Sequence, residues 1–97
     1  MEISVLLSVY ASVKSNLTKA LFLLKGDDIS KEVEILLCQY VVILDFIEKS
    51  IKIYAKYYSA GENKQEKQII KYAKHLMASA AEVEDQLDNY NISFSMH

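Results

Sequence analysis

The sequence predicts an all-α protein: an antiparallel up-down-up three-helix bundle with long coiled-coil-like helices, dimerising through helices 1 and 2. Three observations predict it. Apolar residues recur at alternating steps of three and four along most of the chain, proline is absent, and the only two glycines, Gly26 and Gly61, fall where the pattern breaks. Steps averaging 3.5 residues keep one side of a helix apolar, and without proline the backbone hydrogen-bond ladder runs uninterrupted between the glycines. The 97 residues, 52% hydrophobic and 25% charged, suit one domain over 1–97 with one core.

The first helix spans about 3–25, with a stripe of Ile3, Leu6, Tyr10, Val13, Leu17, Ala20 and Leu24. Gly26 is expected to end it as a left-handed cap. Asp28 or Ser30 then offers a side-chain acceptor to the free amides that open the second helix, about 30–60. Its stripe is Val33, Leu37, Tyr40, Leu44, Ile47, Ile51, Tyr54 and Tyr58, closed by Gly61. Asn63 and Glu66 have the spacing of a capping box for the third helix, about 64–90, whose stripe is Ile69, Ala73, Leu76, Ala80, Val83, Leu87 and Tyr90. From Asn91 the period changes to alternation, giving an extended tail over 91–97 with Ile92, Phe94 and Met96 on one side; it either docks along a groove or onto a partner or, the favoured reading, frays.

The helices differ in how far around they are apolar. The third has one stripe opposite a charged face, whereas the first and second carry further apolar residues outside theirs, more than three helices need to bury among themselves. Val5, Val9, Leu23, Ile35, Val42, Phe46 and Ile53 are therefore candidates for a dimer interface. Asp45 interrupts the most apolar run, yet it shares the angular position of Glu34, Glu48, Lys49, Lys52 and Lys56 and belongs to a solvated stripe, pairing with Lys49 one turn on.

All eleven basic residues are lysines, with no arginine, and the formal net charge is −2. A bias to Lys, Ile, Asn and Tyr suits an AT-rich coding sequence such as a virus, a mobile element or a low-GC bacterium. Missing guanidinium groups remove the preferred means of bidentate phosphate or base recognition. Lys49, Lys52, Lys56, Lys64, Lys67, Lys71 and Lys74 nevertheless concentrate at the hairpin end of helices 2 and 3, a candidate site for an anionic partner. A solvated face is the favoured reading, given the acidic total.

No residues stand at the spacing of a metal site or a catalytic triad. His75 lies at the edge of a polar face, His97 is the last residue, and Cys38 is the single cysteine. No cofactor, metal or catalytic residue is expected. The first residues lack the positive n-region of a signal peptide, and the apolar run of 35–47 is too short to cross a bilayer. These features predict a cytoplasmic, non-enzymatic helical interaction protein, an adaptor, chaperone-like protein or inhibitory regulator. The partners expected are a second copy or a helix-rich protein, with no membrane. The alternative is a small nucleic-acid-associated regulator that uses the lysine end.

Overall fold

The longest amphipathic stretch becomes the centre of the molecule. In the computed structural model, which describes residues 3–59, 61 and 66–94, the chain forms α1 (Ile3–Leu24), α2 (Lys31–Ser59) and α3 (Glu66–Asp88). The fold is an all-α three-helix bundle, with no strand among the described residues. Both outer helices pack on α2. No Cα of α1 lies within 8 Å of one in α3 among the described residues.

Neighbouring helices run antiparallel. Asn16 and Lys14 of α1 meet Tyr40 and Glu48 of α2, so position falls along one helix as it rises along the other. Tyr40 in turn meets Glu84, while Ser50 and Ile53 lie beside Gln68 and Tyr72. The result is a rod whose Cα trace spans 48 × 19 × 18 Å, close to the roughly 43 Å rise of a 29-residue helix.

The core is the α2 stripe. Leu37, Tyr40, Leu44 and Ile47 are fully buried, with Val33, Ile51 and Tyr54 nearly so. Val13 and Ala20 of α1 and Ala73, Ala80, Val83 and Leu87 of α3 close over them. The small residues at 73 and 80 let the α3 backbone approach α2 closely. Two members of the expected stripes are corrected, since Tyr58 and Tyr90 are both about half exposed. Tyr90 follows the end of α3, where the chain has left the helical path, and Tyr58 occupies the last turn of α2, which is longer than either neighbour.

The helix ends show which local signals acted. Ser30, not Asp28, caps α2, its Oγ accepting from the Val33 amide at 3.3 Å. Gly61 has φ 72° and ends α2 in the left-handed region, as expected. Gly26 does not adopt that conformation. Its amide donates to the Leu23 carbonyl at 3.1 Å, and a Cβ there would sit 3.3 Å from the same oxygen. Space, not handedness, favours glycine at this position. Asn63 of the expected capping box lies outside the described residues.

The expectation of a fraying tail is overturned for residues 92–94. Asn91 takes φ 64°, its amide donates to the Asp88 carbonyl at 3.0 Å, and the Ile92 amide donates to the Leu87 carbonyl at 3.1 Å. These two bonds form a Schellman motif with asparagine in the glycine position. The motif turns the chain back, so that Ile92 and Phe94 pack half-buried against the core. Met96 and His97 lie outside the described residues.

Candidate functional site

Polar chemistry inside the bundle centres on Tyr40. Its hydroxyl accepts from Asn16 Nδ2 at 3.2 Å and donates to Glu84 Oε2 at 2.5 Å, which links all three helices through one side chain. Burial, chiefly, and the Glu84 carboxylate hold the phenol well above its ordinary pKa. Phe94 from the tail lies against the Tyr40 ring with centroids 4.6 Å apart and planes at 54°. Lys19 donates to the Ser93 carbonyl and stands 4.9 Å from the Phe94 centroid, tying the tail to α1. This arrangement is structural. Each polar group is spent on a neighbouring helix, and no buried side-chain nitrogen or oxygen among the described residues lacks a partner.

Glu48 is a second such device and a correction to its place in the solvated stripe. It is buried, with Lys52 Nζ at 3.1 Å and Lys14 Nζ at 3.5 Å from Oε1, so it joins α1 to α2. The hydrogen bond from Lys52 is the main cause of a carboxyl pKa below the ordinary glutamate value, and the charge of Lys14 adds to it while burial opposes. A depressed carboxyl pKa contributes stability that is present above the unfolded value of about 4.3 and is lost as pH falls through the folded one. Both lysines are more than half exposed, which limits the contribution to about 1 kcal/mol. Glu48→Gln should lose that amount near neutrality and show a smaller further loss than the native chain in acid. Urea midpoints at about pH 6 and pH 2.5 would measure it, and identical acid sensitivity in the two chains would refute it.

The seven lysines do not behave as one group. Lys49 is paired with Asp45 at 2.9 Å, as the i,i+4 spacing predicted, and Lys52 is held by Glu48 on the side of α2 that meets α1. Lys56 is exposed. Lys67, Lys71 and Lys74 of α3 surround an open depression of about 460 Å³ with Ile70, His75 and Ala78, and no described α2 lysine joins them. Lys64 lies outside the described residues. His75 and Cys38 are both exposed, and no group of three or more His, Cys, Asp or Glu among the described residues could hold a metal ion.

The candidate interface residues divide as well. Val9 and Leu23 are half-buried against the core, and Val5 is about half exposed on α1. Ile35, Val42, Phe46 and Ile53 are each about half exposed. Their steps of seven, four and seven put them on one line along α2, on the side away from its buried stripe. Phe22 on α1, 75% exposed, is a further apolar residue open to solvent that the sequence reading did not single out.

No helix among the described residues is long and apolar enough to cross a membrane. Comparison with known protein families, curated proteins and solved structures finds none that matches this chain.

Proposed function

We propose that this is a non-enzymatic interaction protein, an adaptor, chaperone-like or inhibitory regulator that works through helix–helix contacts. The observation that carries this reading is the α2 stripe of Ile35, Val42, Phe46 and Ile53. A helix already buried on one side has no folding reason to keep a second apolar line in water. The polar interior fits the same reading, because Asn16, Tyr40 and Glu84 hold one another and Glu48 is held by Lys14 and Lys52, so these groups join the helices. A lone exposed thiol at Cys38 suits a reducing, cytoplasmic setting.

The test is site-specific photo-crosslinking in cells that make the protein. A crosslinker at Phe46 should give adducts with defined protein bands, while one at Glu82 on the charged face of α3 should give none. Adducts from position 82 alone, or from no position, would contradict the proposal.

A second reading is favoured by the cationic depression on α3. Under it, a nucleic-acid backbone would lie along Lys67, Lys71 and Lys74. Because Lys49 and Lys52 are already paired within the bundle, we expect the binding to be weak. Charge reversal of Lys67, Lys71 and Lys74 together should change retention on immobilised duplex or single-stranded DNA little at physiological salt. A salt-sensitive loss of tenfold or more, about 1.4 kcal/mol, would favour the nucleic-acid reading.

A further inference from the structure

Six exposed residues on one line of α2 are placed in pairs about Leu44. Val42 and Phe46 stand two residues either side of Leu44, Gln39 and Lys49 five, and Ile35 and Ile53 nine. A line whose apolar and polar positions fall in the same order from both ends fits its own copy turned end for end. We propose that two copies of the chain pair antiparallel along this line, about a two-fold axis level with Leu44. This rests on the reading of the α2 stripe as a contact surface and names its occupant.

The spacing fits a coiled-coil seam, with Ile35, Val42, Lys49 and Lys56 in one set of seam positions and Gln39, Phe46 and Ile53 in the other. In the antiparallel register each layer takes one residue from each set. Ile35 meets Ile53 of the partner subunit, Val42 meets Phe46 of the partner subunit, and Gln39 meets Lys49 of the partner subunit. A parallel pair would instead stack Lys49 on Lys49 and Lys56 on Lys56, two like-charge layers in one seam.

Charge along the flanks selects the same orientation. Glu32 and Glu34 occupy the first turn of α2 and Lys56 the last, so reversing one copy brings Glu32 level with Lys56 of the partner subunit. Lys49 does not block the seam, since its charge is already held by Asp45 at 2.9 Å and lies 5.8 Å from the Phe46 ring centroid. Beside Ile53, a hollow of about 210 Å³ lined by Ser50, Gln68, Ile69 and Tyr72 offers room for Ile35 of the partner subunit. The two-fold arrangement repeats every contact and closes on itself, which gives a dimer and not a chain of copies.

Light scattering of the full chain should give twice the 11.1 kDa chain mass. Phe46→Glu should raise the dimer dissociation constant by about 100-fold or more, because the charge would be buried unpaired in the seam. Its helical circular dichroism should stay native, and Phe22→Glu on α1 should leave the dimer intact. Register is read by cysteines. With Cys38→Ser as background, Gln39→Cys together with Lys49→Cys should form interchain disulfides on mild oxidation, while Gln39→Cys alone should not. The two positions are about 15 Å apart within one helix, beyond the reach of a disulfide, so only a second copy can bridge them. Efficient cross-linking of the single Gln39→Cys chain, or a dimer indifferent to Phe46→Glu, would overturn the proposal. A native chain that stays at 11.1 kDa would overturn it too while leaving the interaction reading intact, provided position 46 still photo-crosslinks to other proteins; no adduct at all would end both.

Discussion

Replacing Tyr40 with alanine should remove about 3–5 kcal/mol of folding stability, and with it roughly 15 °C or more of melting temperature for a domain of this size. The side chain is fully buried, touches Phe94, and carries the hydroxyl that Asn16 and Glu84 share. Its loss opens a cavity at the level where all three helices meet and leaves Asn16 and Glu84 without their common partner. Tyr40→Phe separates the two effects, because it keeps the ring and removes only the hydroxyl, for about 1–2 kcal/mol. The raised phenol pKa adds a pH signature with a definite sign. Its stabilisation is present below the unfolded tyrosine value of about 10 and is lost as pH rises above it, so Tyr40→Phe should flatten part of the alkaline decline. Denaturant melts at fixed protein concentration would decide the point, since self-association adds stability by mass action. A loss under 1 kcal/mol for Tyr40→Ala would contradict the central place given to this residue.

Ending the chain after Asn91 should cost about 2–3 kcal/mol, the apolar burial of Ile92 and Phe94 together, with Phe94→Ala alone giving about half of that. The tail lies against α2 and α1 at this end. Phe94 rests on Tyr40 while Lys19 reaches across to the Ser93 carbonyl and the Phe94 ring. Its loss should therefore also raise amide hydrogen exchange in the C-terminal half of α1. Unchanged exchange around Lys19 in the truncated chain would show that the tail does not brace that helix.

Most of the fold could be read in the sequence because it rests on periodicity. Seven of the eight residues in the α2 stripe, Val33 to Tyr54, are buried as the three-four spacing requires, and the missing proline leaves three long helices as the only economical arrangement. What failed were features that depend on which helix covers which flank. Glu48 shares its helical angle with solvated neighbours, and packing beside α1, with Lys14 3.5 Å away, leaves its carboxylate buried between two partly exposed lysines. Tyr90 kept the period on paper but stands beyond the last helical residue, Asp88. Alternation alone allowed the tail either to dock or to fray, and favoured fraying because it resembles a loose strand. The signal was Asn91, an asparagine able to take the left-handed conformation that ends a helix and sends the chain back.

Of the candidate surfaces, the exposure of the α2 apolar line could be read from the sequence, whereas the placing of Lys52 apart from the α3 lysines could not. Ile35, Val42, Phe46 and Ile53 face away from the core because helical phase alone sets their direction. The seven lysines looked continuous because sequence nearness at a hairpin suggests spatial nearness. Their grouping depends on the direction in which each helix turns its charged flank, and that divides Lys52 on the α1 side of α2 from Lys67, Lys71 and Lys74 on α3.

The most direct measurement is light scattering after size exclusion of the native chain at low and high salt, with absorbance at 260 nm followed across the peak. A mass of two chains is expected at both salt concentrations, with no nucleic acid, because an apolar seam is little weakened by screening. A single chain that carries nucleic acid at low salt and sheds it at high salt would contradict it, and would move the function from the α2 stripe to the lysines of α3.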